Sequence, residues 1–75
     1  MEEILEILSE IHPDVDFENE EGLADRRIID SLDIVTIVSE IADRLDVVIP
    51  AEEIIPENFN SVKALSELVR RLDEE

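Results

Sequence analysis

Apolar residues fall in three stretches with helical spacing, separated by one long stretch that has no period. Ile4, Ile7, Leu8 and Ile11 stand at i, i+3, i+4 and i+7, which predicts an amphipathic helix over residues 2–11. Glu2, Glu3 and Glu6 suit the positive end of its dipole. Pro13 pushes His12 out of the helical region and ends it. Residues 31–45 need more care, because Ile34-Val35-Thr36-Ile37-Val38 is a β-branched run with strand propensity. Ile34, Val38, Ile41 and Leu45 nevertheless repeat at helical spacing, with Val35 and Ala42 widening the stripe. Asp33, Thr36, Glu40 and Asp43 share the opposite face. Fifteen residues without a turn signal is also long for a strand, so the spacing predicts a helix held by burial rather than propensity. Val62, Leu65, Leu68, Val69 and Leu72 mark a last helix, with Arg70 and Arg71 near its negative end.

The connections are read from their breakers. Asp46 to Ile49 reads as a short extended link. Pro50 can occupy a first helical turn, so Ala51 to Ile55 should make a turn or two until Pro56 stops it. Asn58, Asn60 and Ser61 offer capping oxygens for the last helix. Residues 12–30 scatter Val15, Phe17, Leu23, Ile28 and Ile29 among acids, with the single glycine, Gly22, inside. A connection this long needs a job in a compact chain. Phe17 and Leu23 are expected to pin it to the core while it delivers Ser31 to one end of a bundle. The expectation is an all-α fold, three main helices plus one short one with a long first loop, as a single domain over 1–75.

Composition narrows what such a bundle does. The 75 residues include 22 Asp and Glu against 6 Lys and Arg, a formal net charge of −16. No face can carry the basic stripe that nucleic acid requires, and anionic membranes would repel the chain. Basic protein surfaces would attract it. The 44% hydrophobic content is near the globular average, which argues for folding despite the charge. No apolar run approaches the roughly 18 residues of a membrane span, and Met1-Glu2-Glu3 opens with acid rather than a basic leader. A cytoplasmic monomer that does not insert into membranes is expected. There is no cysteine and one histidine, which excludes disulfides and a Cys/His zinc site.

Candidate chemistry is sparse. His12 is the only imidazole for a nucleophilic serine, and a helix-ending role suits it better than a dyad with Ser31. Carboxylate pairs carry no information among 22 acids. Asp14-Val15-Asp16 lacks the rest of a calcium loop. The informative stretch is Asp30-Ser31-Leu32-Asp33. Two readings are open: Asp30 or Ser31 caps the second helix and nothing more, or Ser31 is an anchor. For the second, unpaired N–H groups and the dipole make a helix N-terminus a good place for a phosphate, and an acidic helix face follows.

The run I-I-D-S-L-D-I-V-T-I-V-S-E-I resembles the D-S-L motif and second helix of the acyl carrier proteins. Helix order, the long first connection and the D-V-V-I-P segment extend the resemblance over essentially the whole chain. The resemblance implies a carrier and not an enzyme. A phosphopantetheinyl transferase would move a 4'-phosphopantetheine arm from coenzyme A onto Ser31 in a magnesium-dependent reaction. The arm's thiol would hold acyl groups as thioesters, in fatty-acid, polyketide or related biosynthesis. Partners would then be the transferase, an acyl- or aminoacyl-loading ligase and acyl-transfer enzymes with basic docking surfaces. Asp30, Leu32, Asp33, Glu40 and Asp43 would form the surface they read.

Departures from the family bear on cargo. Many fatty-acid carriers have glycine three residues before the serine, where Ile28 stands here, and the glycine pair of peptidyl carriers is missing too. Carriers that load D-alanine for cell-wall polymers also lack that glycine, and I-I-D-S is closer to them. Thr36, Ala42 and Arg44 stand where acids are expected. Arg26 and Arg27 either offset local acid or mark a dedicated partner. Ile49, Ile54 and Val62 either line an acyl entrance or belong to ordinary core, and the bulk of Ile54 favours short or polar cargo. Beside the acyl carrier stand an aminoacyl carrier of the D-alanyl type, an unmodified acidic adaptor for a basic protein and, last, a hydrolase built on Ser31 and His12.

Overall fold

A computed structural model describes residues 2–74. Met1 and Glu75, the first residue of the acidic opening and the last of the expected 1–75 domain, lie outside them. Four α-helices follow in order: α1 (Glu2–Ile11), α2 (Ser31–Leu45), α3 (Pro56–Phe59) and α4 (Val62–Asp73). A 3-10 turn at Ala51–Glu53 precedes α3, and no strand occurs among the described residues. The all-α expectation and the bounds of the first two helices hold, and the expected last stripe lies on α4. The radius of gyration is 11.0 Å, the value of about 11 Å that a compact chain of this length should have.

One apolar core joins the helices. Ile4, Ile7 and Leu8 enter it from α1, Ile37 and Ile41 from α2, and Leu65, Leu68 and Val69 from α4. Among the described residues it contains no buried polar or charged side chain. The stripe of α2 differs from the expected one. Ile37 lies at its centre, fully buried, whereas Val35 is 65% exposed. Successive residues turn by about 100°, so Ile37 and Ile41 straddle the inward direction and Val35 points well away from it. Val47 and Ile49 are buried while Val48 between them is exposed, the alternation of an extended link.

The turn expected from Ala51 forms as the 3-10 turn at Ala51–Glu53, and a further short helix that was not expected follows it. Pro56 opens α3 at its first turn, where the missing N–H and preset φ suit a helix start, and Ile55 before it is extended. Ser61 caps α4, its hydroxyl accepting from the Ala64 N–H at 3.0 Å. Among the described residues no helix is long and apolar enough to cross a membrane.

A net charge of −16 on so small a body should repel itself. Raising salt from about 10 to 150 mM shortens the screening length from about 30 to 8 Å. The melting temperature is expected to rise by about 5 °C, the equivalent of about 1 kcal/mol in a chain of this size. Magnesium should act in the same direction. A thermal scan that moves downward or not at all would remove self-repulsion as the explanation.

Candidate functional site

The N-terminal turn of α2 is built by two aspartates. Asp30 has extended backbone (φ −111, ψ −172) and is the N-cap. Its Oδ1 accepts from the Asp33 N–H at 3.0 Å, and the Asp33 Oδ2 accepts from the Asp30 N–H at 3.1 Å. This is a reciprocal capping box with aspartate in both roles. The first helical bond runs from the Ile34 N–H to the Asp30 carbonyl at 2.9 Å. The N–H groups of Ser31 and Leu32 therefore have no partner within the helix, which is the usual position of first-turn donors. Of the two capping candidates in the sequence, Asp30 does the work. Ser31 is exposed, and among the described residues its hydroxyl makes no hydrogen bond.

Asp33 has a second partner. The His12 Nε2 lies 2.7 Å from its Oδ2, and since an ionised carboxylate only accepts, that nitrogen carries the proton. Partial burial pushes the Asp33 carboxyl up, but the hydrogen bond from His12, the Asp30 N–H and the electrostatic pull of the imidazole together hold it below the usual range. A depressed folded pKa contributes stability above the unfolded value of about 3.9 and loses it as the pH falls through the folded value. The stability gap between the wild type and Asp33→Asn is thus expected to be open at neutral pH and to close below about pH 4. Denaturant titrations at several pH values would read it, and a gap independent of pH would contradict the assignment.

The long connection reaches this turn under several restraints. Phe17, Leu23 and Ile29 are buried, the first two being the expected pins. Gly22 and Arg27 both adopt positive φ, +64 and +59, and the Leu23 carbonyl accepts from the N–H groups of both Ile28 and Ile29. Between Leu23 and Ser31 the left-handed residue is Arg27, one position before Ile28. Asn60 clamps the loop from the junction of α3 and α4. Its Oδ1 accepts from the N–H groups of Ala24 and Asp25, each at 3.0 Å, and its Nδ2 donates to the Asp25 carboxylate. Asn60 is thus a loop clamp rather than a cap of α4.

The five residues expected to face partners divide by environment. Leu32 is 77% exposed, and Asp30 and Asp43 are exposed. Asp33 is turned toward His12. Glu40 pairs with the Arg44 Nε at 2.8 Å, and Arg44 also grips both carboxylate oxygens of Glu10 on α1, at 3.0 and 2.6 Å. The hydrogen bond from Arg44 lowers the Glu10 carboxyl. Arg26 pairs with Glu20 at 2.9 Å, which offsets local acid as one of its two readings holds. Among the described residues no hydrogen bond links His12 to Ser31, and the His12 Nε2 is engaged by Asp33.

Sequence reading did not find the His12–Asp33 bond, the Asn60 clamp or the Arg44–Glu10 bridge. Their partners lie 21, 35–36 and 34 residues apart, beyond the reach of any local pattern. Ile49 and Val62 are buried in the core and Ile54 lies at the surface. An open groove of about 680 Å³, walled by Ile4, Leu45, Val47 and Val69, is near the other end of α2, about 20 Å along the axis from Ser31. Among the described residues no cluster of three or more metal-binding side chains occurs.

No curated protein and no solved structure matches the chain significantly. A family model described as phosphopantetheine attachment site matches residues 1–69.

Proposed function

The chain belongs to the phosphopantetheine attachment-site family, and from that premise we propose that it is an acyl carrier protein whose arm stands on Ser31. Members of the family carry a 4'-phosphopantetheine group and are non-catalytic carriers. The observation that carries the assignment to Ser31 is its free, exposed hydroxyl on the first turn of α2, beside a capping box that does not use it. The residues there fit the group. Asp30 occupies the cap, so the serine oxygen is left for chemistry, and the open N–H groups of Ser31 and Leu32 with the helix dipole favour a phosphate. When bound, the arm supplies a thiol that holds acyl groups as thioesters.

Attachment forms a bond from the Ser31 Oγ to the phosphorus of coenzyme A nearest the arm. The bond from that phosphorus to the adenosine bisphosphate leaving group breaks, and the serine proton departs to a base of the transferase. The chain contributes the oxygen, its exposure and the anion-favouring turn. Its net charge of −16 supports encounter with partners that present basic surfaces. Those partners are the phosphopantetheinyl transferase, a loading ligase and acyl-transfer enzymes, working in the cytoplasm.

The test is intact mass after incubation with coenzyme A, magnesium and a broad-specificity transferase, followed by fragmentation to locate the added group. One arm on Ser31 is expected. No gain, or a gain at another residue, overturns the reading and leaves the acidic adaptor in its place.

A second reading for cargo has its own support. With Ile49 and Val62 filling the core, a short or polar group that stays outside the bundle suits this chain, which favours an aminoacyl carrier of the D-alanyl type. Loading by a D-alanine ligase but not by a fatty acyl ligase would establish it, and the opposite result would restore the fatty-acyl reading.

A further inference from the structure

His12 stands where three segments meet at the attachment turn. Its backbone N–H bonds to the Leu8 carbonyl at 3.0 Å, so it closes the last turn of α1. Its ring lies 6.5 Å from that of Phe17, the buried anchor of the long loop. Its Nε2 reaches Asp33 on the third residue of α2 at 2.7 Å, with both side chains partly buried. The same Asp33 oxygen accepts from the Asp30 N–H, and Asp30 in turn accepts from the Asp33 N–H. The imidazole is thereby the outer member of a chain of hydrogen bonds that closes around Ser31.

We propose that His12 is a positioning residue for arm attachment, acting through Asp33 to hold the first turn of α2 and with it the Ser31 hydroxyl. The inference rests on Ser31 being the attachment point. An unanchored first turn frays readily, because its N–H groups have no helical partners. The capping box alone ties Asp33 to Asp30, its neighbour on the same turn, so the pair can move together. His12 ties that turn to the body of the protein. A charge-assisted bond of this length is among the stronger single contacts. His12 does not touch the reacting oxygen, so its loss should slow transfer without removing the exposed surface of Leu32 and Asp43 that a partner meets.

The experiment compares arm attachment to the wild type, His12→Ala, His12→Gln and Val69→Ala, with coenzyme A, magnesium and one transferase. Val69 lies in the core far from Ser31 and controls for lost stability. With His12→Ala, kcat is expected to fall roughly tenfold, the factor that about 1.4 kcal/mol of lost hold represents. KM for the protein should stay within about twofold of the wild type, since docking is retained. His12→Gln, which keeps an N–H donor, should recover most of the rate, and Val69→Ala should leave kcat unchanged. Amide exchange at Asp33 and Ile34, whose N–H groups bond to Asp30, should quicken in His12→Ala and return toward the wild type in His12→Gln. Equal rates for wild type and His12→Ala overturn the proposal, as does an equal loss in Val69→Ala or no rescue by glutamine. A wild type that takes no arm sinks the Ser31 reading and this inference together, whereas a modified wild type beside an equally fast His12→Ala sinks this inference alone.

Discussion

Ser31→Ala is expected to abolish arm attachment while leaving the fold as stable as before. The hydroxyl is exposed and makes no hydrogen bond among the described residues, and alanine has the best helix propensity. The change in stability should stay within about 0.5 kcal/mol. Asp30→Ala should show the converse. It removes the N-cap, which costs about 1 kcal/mol, yet keeps the hydroxyl, so the arm should still be gained, more slowly because the turn around Ser31 has lost its capping box. Intact mass and urea denaturation on both variants separate anchor from cap. If Ser31→Ala melts well below the wild type, or still gains an arm, the division of labour between the two residues is wrong.

The second large effect is in the core. Ile37→Ala is expected to cost about 2–5 kcal/mol, comparable with the whole 3–5 kcal/mol or so that a core of this size has to spare. A large share of the chain should then be unfolded at 25 °C, as far-UV circular dichroism would show. Val35→Ala, two residues away in the same β-branched run, should stay within about 0.5 kcal/mol because its side chain already meets water. Equal losses from the two would mean that α2 is rotated relative to the core described here.

That pair of residues also shows how far a sequence reading can go. The bounds of α1 and α2 and the inward stripe of α4 follow from spacing and from Pro13, and Phe17 and Leu23 announce themselves as apolar pins in an acidic loop. Within α2, however, positions 34, 35, 37 and 38 are all apolar, so two neighbouring stripes fit the pattern equally well. Which one faces inward is decided by α1 and α4, not by the segment itself. Pro56 misleads for a related reason, since proline is as good a start for a helix as it is a stop. At the site, Asp30-Ser31-Leu32-Asp33 was legible because a cap is local. The engagement of Asp33 by His12 and of Glu10 by Arg44 was not, because each depends on which segments pack side by side, unlike the i,i+4 pair of Glu40 and Arg44 within α2.

These pairings change what the acidic face of α2 can offer. Asp33 and Glu40 already have partners within the chain, whereas Asp43 and the apolar Leu32 and Val35 are open to solvent. A basic partner approaching α2 would have to compete with His12 or Arg44 for two of the carboxylates it seeks.

The clamp by Asn60 has a consequence for the order of events in synthesis. Asn60 follows Ser31 in the chain and belongs to its last quarter, yet it holds Ala24 and Asp25 in the loop that precedes the serine. A ribosome therefore releases the serine well before the residue that orders its approach, and contacts so distant in sequence form late. Nascent chains that expose Ser31 without Asn60 lack the shape that surrounds the serine in the folded domain, so the attachment site is completed only after Asn60 has also emerged.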